Sequence, residues 1–428
     1  MRGLVISAPA SGQGKTVLTL GLLRALREAG IRVAGAKSGP DYIDPGFHQA
    51  AAGQHAVTLD AFAAAPPQLA ARARQMAAPG TELLLIEGAM GLFDGAANGS
   101  STGTGATASL AEALDLPVLL VIDGARMGQS AGALAHGLAA RLGPKRCAGV
   151  ILNRVASPRH EAMLRDGMAD LAILGAVKSG ALPPLPQRHL GLVQAVEHPD
   201  MEGFLSAAAG AVAQTCDLDA IAEMAVALPA ADAPQRLPPL GQRIAVARDA
   251  AFGFAYAHML ADWRAAGAEI LPFSPLADQP PDESADAVFL PGGYPELHAG
   301  EVARAEGFRA GMARALSREA VIYGECGGYM VLGQGLMDEN GTRHGMLGLL
   351  DLETSFAERR RHLGYRRLVA DGPLEGRYAA HEFHYCTTIR AEGLPLFSAE
   401  DAQGAALPPM GLRRGRVMGS FAHIIEAA

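Results

Sequence analysis

Aromatic residues are scarce in this chain, at 5% of 428 residues with a single tryptophan, so a core has to be assembled from Ala, Val, Leu and Ile. The four cysteines, Cys147, Cys216, Cys326 and Cys386, stand far apart with no CxxC pair, which argues against a disulfide framework or a zinc site. No signal-peptide pattern opens the chain, and a reducing cytoplasm is the expected compartment. No apolar run approaches the ~18 uncharged residues that a membrane span needs, so no membrane association is expected. Positive charge is scattered: 36 Lys and Arg against 44 Asp and Glu give a net charge of -8, with no electrostatic footprint for nucleic acid.

What is abundant is glycine, 52 residues, between short apolar runs. GLVISA (3–8), IRVAGAK (31–37), LLLIEGA (83–89), PVLLVIDG (117–124), AGVILN (148–153) and AILGAV (172–177) alternate with Ala-rich helical patterns. Buried parallel strands with crossover helices read this way, which predicts an α/β, doubly wound, mostly parallel sheet with ligands beyond the strands' carboxyl ends. The proline-rich stretch PAADAPQRLPPLGQ (229–242) breaks the rhythm and reads as an extended linker. The expected division is a domain over 1–230, a linker over 231–242 and a second α/β domain over 243–428 with some antiparallel strands late in the chain. That second domain opens with RIAVARD (243–249), a helix near 254–266, AEILPFS (268–274), DAVFLPGG (286–293) and AVIYGECGG (320–328).

Strand, APASGQGKT, then helix is the context of a phosphate-binding loop. Its backbone N–H groups wrap phosphates, with Gly12, Gln13 and Gly14 in the curl, Lys15 on the terminal phosphates and the Thr16 hydroxyl on magnesium. Pro9 stands where the first glycine of the standard pattern belongs, so the first bend must be built differently. Carboxylates follow at later strand ends. Glu87 and Asp94 suit magnesium, a hard ion that takes oxygen ligands, or else cap and start turns. KSGPDYIDP (37–45) gathers Lys37, Asp41, Tyr42 and Asp44 in a loop stiffened by Pro40 and Pro45. Asn153 and Arg154, after AGVILN, are positioned to read a nucleotide base or to form a solvated strand end.

In the second domain Cys326 ends an apolar strand and is followed by two glycines and a helical pattern, the layout of a nucleophile elbow. Gly327 supplies an oxyanion N–H, Gly292 and Gly293 of FLPGGYPE the remaining donors, and the helix amino terminus is expected to favour thiolate. Cys147, Cys216 and Cys386 read as buried core residues. His423, just past a late apolar strand, is the expected base. AHEFHY (380–385) echoes the zinc motif HExxH, but Tyr385 stands where the second histidine belongs. On a strand, His381, Phe383 and Tyr385 share one face and Glu382, His384 and Cys386 the other, which suits a polar strand lining a cleft between domains.

SAPASGQGKT, KSGPDYIDPGFH, EGAMGLFDG, GVILNRV, LPGGYPE, YGECGGYM and HEFHY occur in the order of the corrin a,c-diamide synthases of cobalamin biosynthesis. The chain resembles that family throughout its length, its first domain being similar to dethiobiotin synthetase and its second to class I glutamine amidotransferases. The resemblance implies that Cys326, activated by His423, releases ammonia from glutamine. ATP with Mg2+, held by Lys15, Thr16, Glu87 and Asp44, activates an acetate side chain of a corrin-type macrocycle as an acyl phosphate. It implies Lys37, Asp41 and Tyr42 near that substrate, Asp94 near the phosphoryl intermediate, amidation at the a and c acetates, and an interior path between the domains. A homodimer is one expected assembly. Most class I amidotransferases place a glutamate two residues after the histidine; here that position is Ile425, which implies a Cys–His dyad with Glu426 as a helper. Neighbouring readings are a nickel-sirohydrochlorin a,c-diamide synthase or a cobyric acid synthase-like amidase. From another class comes a partitioning-type P-loop ATPase, which lacks a task for Cys326.

Overall fold

A computed structural model describes residues 1–97, 102–143, 146–188 and 191–428. The chain forms two compact units, residues 1–234 and 235–428, dividing inside the proline-rich segment. No helix among the described residues is long and apolar enough to cross a membrane.

The first unit is built on strands β1 (Arg2–Ser7), β2 (Val33–Ser38), β3 (Val57–Leu59), β4 (Leu83–Glu87), β5 (Val118–Asp123), β6 (Cys147–Val155) and β7 (Ile173–Lys178). They pair in parallel in the order β3-β2-β4-β1-β5-β6-β7, and Val226–Ala227 adds a short antiparallel pairing to the start of β1. Leu4, Val5, Ile6, Leu84, Leu85, Ile86, Leu119 and Val121 are all fully buried, as strands covered on both faces require. Each fully buried Val, Leu or Ile side chain contributes about 1.5–3 kcal/mol to the stability of this sheet. The chain leaves β1 toward β2 on one side and β4 toward β5 on the other, so β1 lies at a switch in strand order. Its carboxyl end opens a crevice, and the loop from Ala8 to Gly14 occupies it before helix α1 (Lys15–Glu28). The three-residue β3 was not legible in the apolar runs.

The second unit has a mixed six-stranded sheet, a separate five-stranded antiparallel sheet and a smaller four-stranded sheet. The first contains β8 (Arg243–Ala247), β9 (Glu269–Phe273), β10 (Ala287–Leu290) and β11 (Val321–Glu325), all parallel, and takes in two strands from near the end of the chain. The second contains β12 (His362–Ala370), β13 (Gly376–His384), β14 (Phe397–Asp401) and β15 (Ala406–Met410). Strand β16 (Leu412–Arg414) and β17 (Val417–Ser420) return to the first sheet, while β18 (Ala422–Ala427) joins β13 in the second. The stretch AHEFHYCTTIR is two strands rather than one, since Thr387–Glu392 pairs in another sheet. The segment expected as an open linker has no regular structure from 230 to 239, but part of it is docked. Leu237 is 3% exposed and its N–H donates to the buried Asp262 carboxylate at 2.9 Å.

Strand β13 carries the alternation expected of it, although both faces are buried. Cross-strand register sets His362 opposite His384, and their rings stack at 4.6 Å and 8°. Glu382 Oε1 and His384 Nε2 are 2.9 Å apart, and Arg366 donates to Glu382 Oε2 at 2.7 and 3.0 Å. His362, Glu382 and His384 bring ligand atoms within 4.8 Å of one another. Two parallel stacked rings aim their lone pairs side by side rather than at one point, and Arg366 already neutralises the carboxylate, so we read this as a structural network. Burial would push the Glu382 carboxyl up, but the His384 hydrogen bond and the Arg366 charge hold it down at about 2.

Because Glu382 is held below its ordinary value of 4.5, its contribution is present above pH 4.5 and fades as pH falls from there toward about 2. That contribution is on the order of 3 kcal/mol at neutral pH. Glu382→Gln is expected to lower unfolding free energy most at pH 7, with the difference from wild type shrinking below pH 4.5 in urea titrations. A difference that grows on acidification rules this linkage out.

Candidate active site

The first site begins with strand register. Lys37 on β2 and Glu87 on β4 are direct partners in the parallel ladder, so their side chains leave the sheet together. Lys37 Nζ donates to Glu87 Oε1 at 2.9 Å and also meets the Asp44 carboxylate, at the start of helix α2 (Asp44–Ala52). The Thr16 hydroxyl donates to the same Glu87 oxygen at 2.6 Å, and His48 Nε2 meets Oε2 at 2.7 Å. Burial alone would raise the Glu87 carboxyl, but Lys37 and the His48 and Thr16 contacts hold it far below the ordinary range. Burial would likewise lower Lys37, yet Asp44 and Glu87 keep its ammonium charged. Asp44, desolvated and beside Asp41, is pushed up to about 7.

The phosphate loop wraps this cluster. Gly12 and Gly14 take φ of 76° and 89°, a left-handed conformation that glycine adopts without strain. Lys15 Nζ is folded back onto the carbonyls of Ala10 at 3.0 Å and Met90 at 2.5 Å, and desolvation lowers it to about 8 against the pull of Glu87. The bend at Pro9 leans on the loop after β4. Leu92 N donates to Ala8 O at 2.8 Å, and a methyl group at Gly91 would stand 2.4 Å from the Pro9 carbonyl oxygen. A cavity of about 500 Å3 opens here, lined by Gly12, Gly14, Lys15, Thr16, Lys37, Glu87, Asn153 and Arg154. Lys178 and Pro183–Leu185 also line it, a wall that the sequence motifs did not reveal.

Asn153 and Arg154 line the same cavity and contact the phosphate loop. The Asn153 amide donates to Gln13 O at 2.8 Å and its oxygen accepts the Arg154 N–H at 2.9 Å. Arg154 donates to Gly12 O at 3.0 Å and pairs with Asp123, so both residues brace the loop from the neighbouring strand. Asp41 Oδ1 accepts the N–H groups of Ile43 and Asp44, and Asp94 Oδ2 that of Gly91, so both carboxylates also close local turns. Tyr42 is half-buried and Asp94 exposed.

The second site is the turn from β11 into α3 (Gly327–Leu332). Cys326 sits there with φ 47° and ψ −104°, a conformation that a non-glycine residue holds only under strain. His423 follows the buried strand β17, as expected, and lies within β18, opposite His381 in the ladder. Gly292 brings the pair together: a methyl group there would lie 2.4 Å from His423 Cε1, 3.1 Å from its Nε2 and 3.2 Å from Cys326 Cβ. Only a residue without Cβ leaves that space open. The Gly327 N–H lies against the sulfur, and the Gly293 nitrogen is 3.1 Å from where a Cβ on Gly327 would stand, so the expected oxyanion donors are neighbours.

Two expectations are corrected. Burial pushes the Cys326 thiol well above its ordinary range, with Glu296 adding to it. At the amino end of this six-residue helix, burial favours the uncharged thiol. Glu426, three residues beyond His423 and so on the alternate strand face, lies 4.0 Å from His258 Nε2 instead. The carboxylate facing His423 is Glu325, with Oε2 3.6 Å from Nδ1. Of the other cysteines, Cys386 is buried as expected, while Cys147 and Cys216 are half-buried.

Residues 4–190 match the CobQ/CobB/MinD/ParA nucleotide binding domain family, and residues 243–428 match the CobB/CobQ-like glutamine amidotransferase domain family. A nucleotide-binding P-loop unit followed by an amidotransferase unit makes this chain a glutamine-dependent amidating ligase. It is 55% identical to a hydrogenobyrinate a,c-diamide synthase of Sinorhizobium sp, covering 100% of this chain and 99% of the relative. Proteins of the same description from Rhizobium meliloti and Rhodobacter capsulatus are 54% and 52% identical, with at least 98% of each chain covered. The chain belongs to the hydrogenobyrinate a,c-diamide synthase family.

Gly292→Ala is expected to lower glutamine-dependent turnover by more than about 100-fold, because a 1 Å displacement of a catalytic group costs on that order. Amidation supported by added ammonium should stay within about twofold. Equal loss of both activities in a folded variant counts against Gly292 as the spacer of this pair.

Proposed function

We propose that this chain amidates the a and c acetate side chains of hydrogenobyrinate, the metal-free macrocycle, using ATP and glutamine. The full-length relatives described by that name carry the reading, since the residues alone do not separate metal-free from cobalt-containing substrates. Four free cysteines and the absence of a membrane-spanning helix among the described residues support action in the cytoplasm.

In the second unit the Cys326 thiol passes its proton to His423, and the sulfur attacks the carboxamide carbon of glutamine. The tetrahedral oxyanion is met by N–H groups of Gly327, Gly292 and Gly293. His423 returns the proton to the leaving nitrogen, ammonia departs, and water hydrolyses the thioester to glutamate and free thiol. In the first unit the acetate oxygen attacks the γ-phosphoryl group of ATP, giving an acyl phosphate and ADP. Ammonia adds to the acyl carbon and phosphate leaves, so an unreactive carboxylate becomes an amide. Lys15 reaches the transferring phosphoryl group, exchanging its hold on the Ala10 and Met90 carbonyls for phosphate oxygens. Lys37, Asp41 and Tyr42 face the substrate acetate and Asp94 the phosphoryl intermediate. Asn153 and Arg154 hold the loop in shape beside the nucleotide.

The oxygens of Thr16 and Glu87, 2.6 Å apart, with Asp44 joined through Lys37, form a hard donor set that fits Mg2+. Bound there with ATP, the ion would supply positive charge that offsets the phosphate charge.

Incubation with ATP, 15N-amide glutamine and either hydrogenobyrinate or its cobalt form should yield, from the metal-free acid, a product in which both acetates have become labelled amides. Preference for the cobalt form in mass spectrometry overturns the choice of macrocycle. Cys326→Ala should abolish glutamine use but retain ammonium-supported amidation, whereas Lys15→Ala should abolish amidation from either source and leave glutamine hydrolysis measurable. Loss of both activities in a folded Cys326→Ala variant defeats this separation of roles.

A further inference from the structure

Glu325 immediately precedes the nucleophile on β11, where side chains two apart share a face, so Tyr323 and Glu325 project together. Both are buried. Glu325 Oε1 accepts the Tyr323 hydroxyl at 3.1 Å and the Ile424 N–H at 3.0 Å. Its other oxygen, Oε2, faces His423 Nδ1 at 3.6 Å. The carboxylate is therefore fixed by two donors on one oxygen and presents the second to the imidazole.

The ring's orientation agrees. Nε2 and Cε1 turn toward Gly292, which also borders Cys326 Cβ, while Nδ1 turns toward Glu325. A proton on Nδ1, directed at the carboxylate, leaves Nε2 as the acceptor for the thiol proton. Once Nε2 has taken it, the imidazolium needs a counter-charge in a place where His423 has no exposed surface. Glu426 does not supply one, since it lies against His258.

We propose that Glu325 is the positioning residue of the Cys326–His423 pair. It holds the tautomer and plane of His423 and stabilises its protonated form, filling from the strand before the cysteine the role that other class I amidotransferases give to a glutamate two residues after the histidine. This rests on reading Cys326 as the glutaminase nucleophile. Catalytic hydrogen bonds are commonly long without substrate and tighten in the complex, and the 3.6 Å contact is of that kind.

Glu325→Gln tests it with little change of shape. The amide oxygen can still accept from Tyr323 and Ile424, but the NH2 then faces Nδ1 and favours the tautomer with the proton on Nε2, where it blocks the thiol's transfer. The expected result is a fall in kcat for glutamine hydrolysis of about 10^2 to 10^4-fold, the range known for losing an orienting carboxylate. KM for glutamine should stay within about threefold and ammonium-supported amidation within about twofold. Glu325→Asp, which keeps the charge, should recover part of the loss, and Glu426→Gln should leave hydrolysis within about twofold. If Glu325→Gln does not fold, Glu325→Asp carries the test through a fall in glutamine kcat without a change in ammonium use. Wild-type kcat in both Glu325 variants, or equal loss of glutamine and ammonium activities, overturns the proposal. Glutamine-dependent activity in Cys326→Ala would instead overturn the underlying reading of the site, whatever the Glu325 variants do.

Discussion

Glu87 is an ionised carboxylate with no exposed surface, and the nucleotide site is arranged around matching its charge. An unmatched carboxylate at that depth would cost several kcal/mol or neutralise itself by taking a proton. Parallel register supplies the first counter-charge by setting Lys37 beside it, and the first turns of α1 and α2 bring Thr16, Asp44 and His48 to the same point. Four elements, β2, β4, α1 and α2, are thereby locked at the carboxyl end of the sheet before any ligand arrives. The consequence is a pre-formed oxygen-rich pocket lined also by Lys15 and Lys37, where the proposed mechanism brings phosphate and carboxylate charge.

The second unit solves the opposite problem. Burial disfavours the thiolate form of its Cys326. In the proposed mechanism, reactivity then depends on moving a proton at the moment of attack rather than on a standing anion, which places the demand on His423. That histidine is held by strand pairing with β13, by Gly292 at one edge and by Glu325 at the other. The strained backbone at Cys326 is the local cost of aiming the sulfur at this point. It is sustained by close packing around the elbow, where a methyl group at Gly328 would come within 1.8 Å of Leu290 O.

Much of this was legible in the sequence because each signal was local. Apolar runs gave the parallel strands, Gly-Lys-Thr after a strand gave the phosphate loop, and Cys-Gly-Gly after an apolar strand gave the elbow. Contacts made by register were not legible. Nothing in KSGPDYIDP or LLLIEGA says that Lys37 and Glu87 are ladder partners, and nothing near Asn153 says that its amide donates to the Gln13 carbonyl. The helper carboxylate was sought by sequence distance from His423, which led to Glu426. The carboxylate that faces His423 Nδ1, at 3.6 Å, belongs to another strand and is adjacent in sequence to the cysteine.

That placement has a mechanical meaning. A glutamate on the histidine's own strand shares that strand's motion and can drift relative to the cysteine. Glu325 is bonded through the backbone to Cys326, and the Cys326 N–H is itself held by Ser420 O at 2.8 Å on the neighbouring strand. Orienter and nucleophile thus move as one body, while Ile424, next to the histidine, donates its N–H to the same carboxylate. The Cys326, His423 and Glu325 positions are tied to one another by covalent bonds and backbone hydrogen bonds rather than by side-chain contacts alone. A pair closed in this way needs no glutamate at position 425, and Ile425 is free to serve as buried core, at 2% exposure.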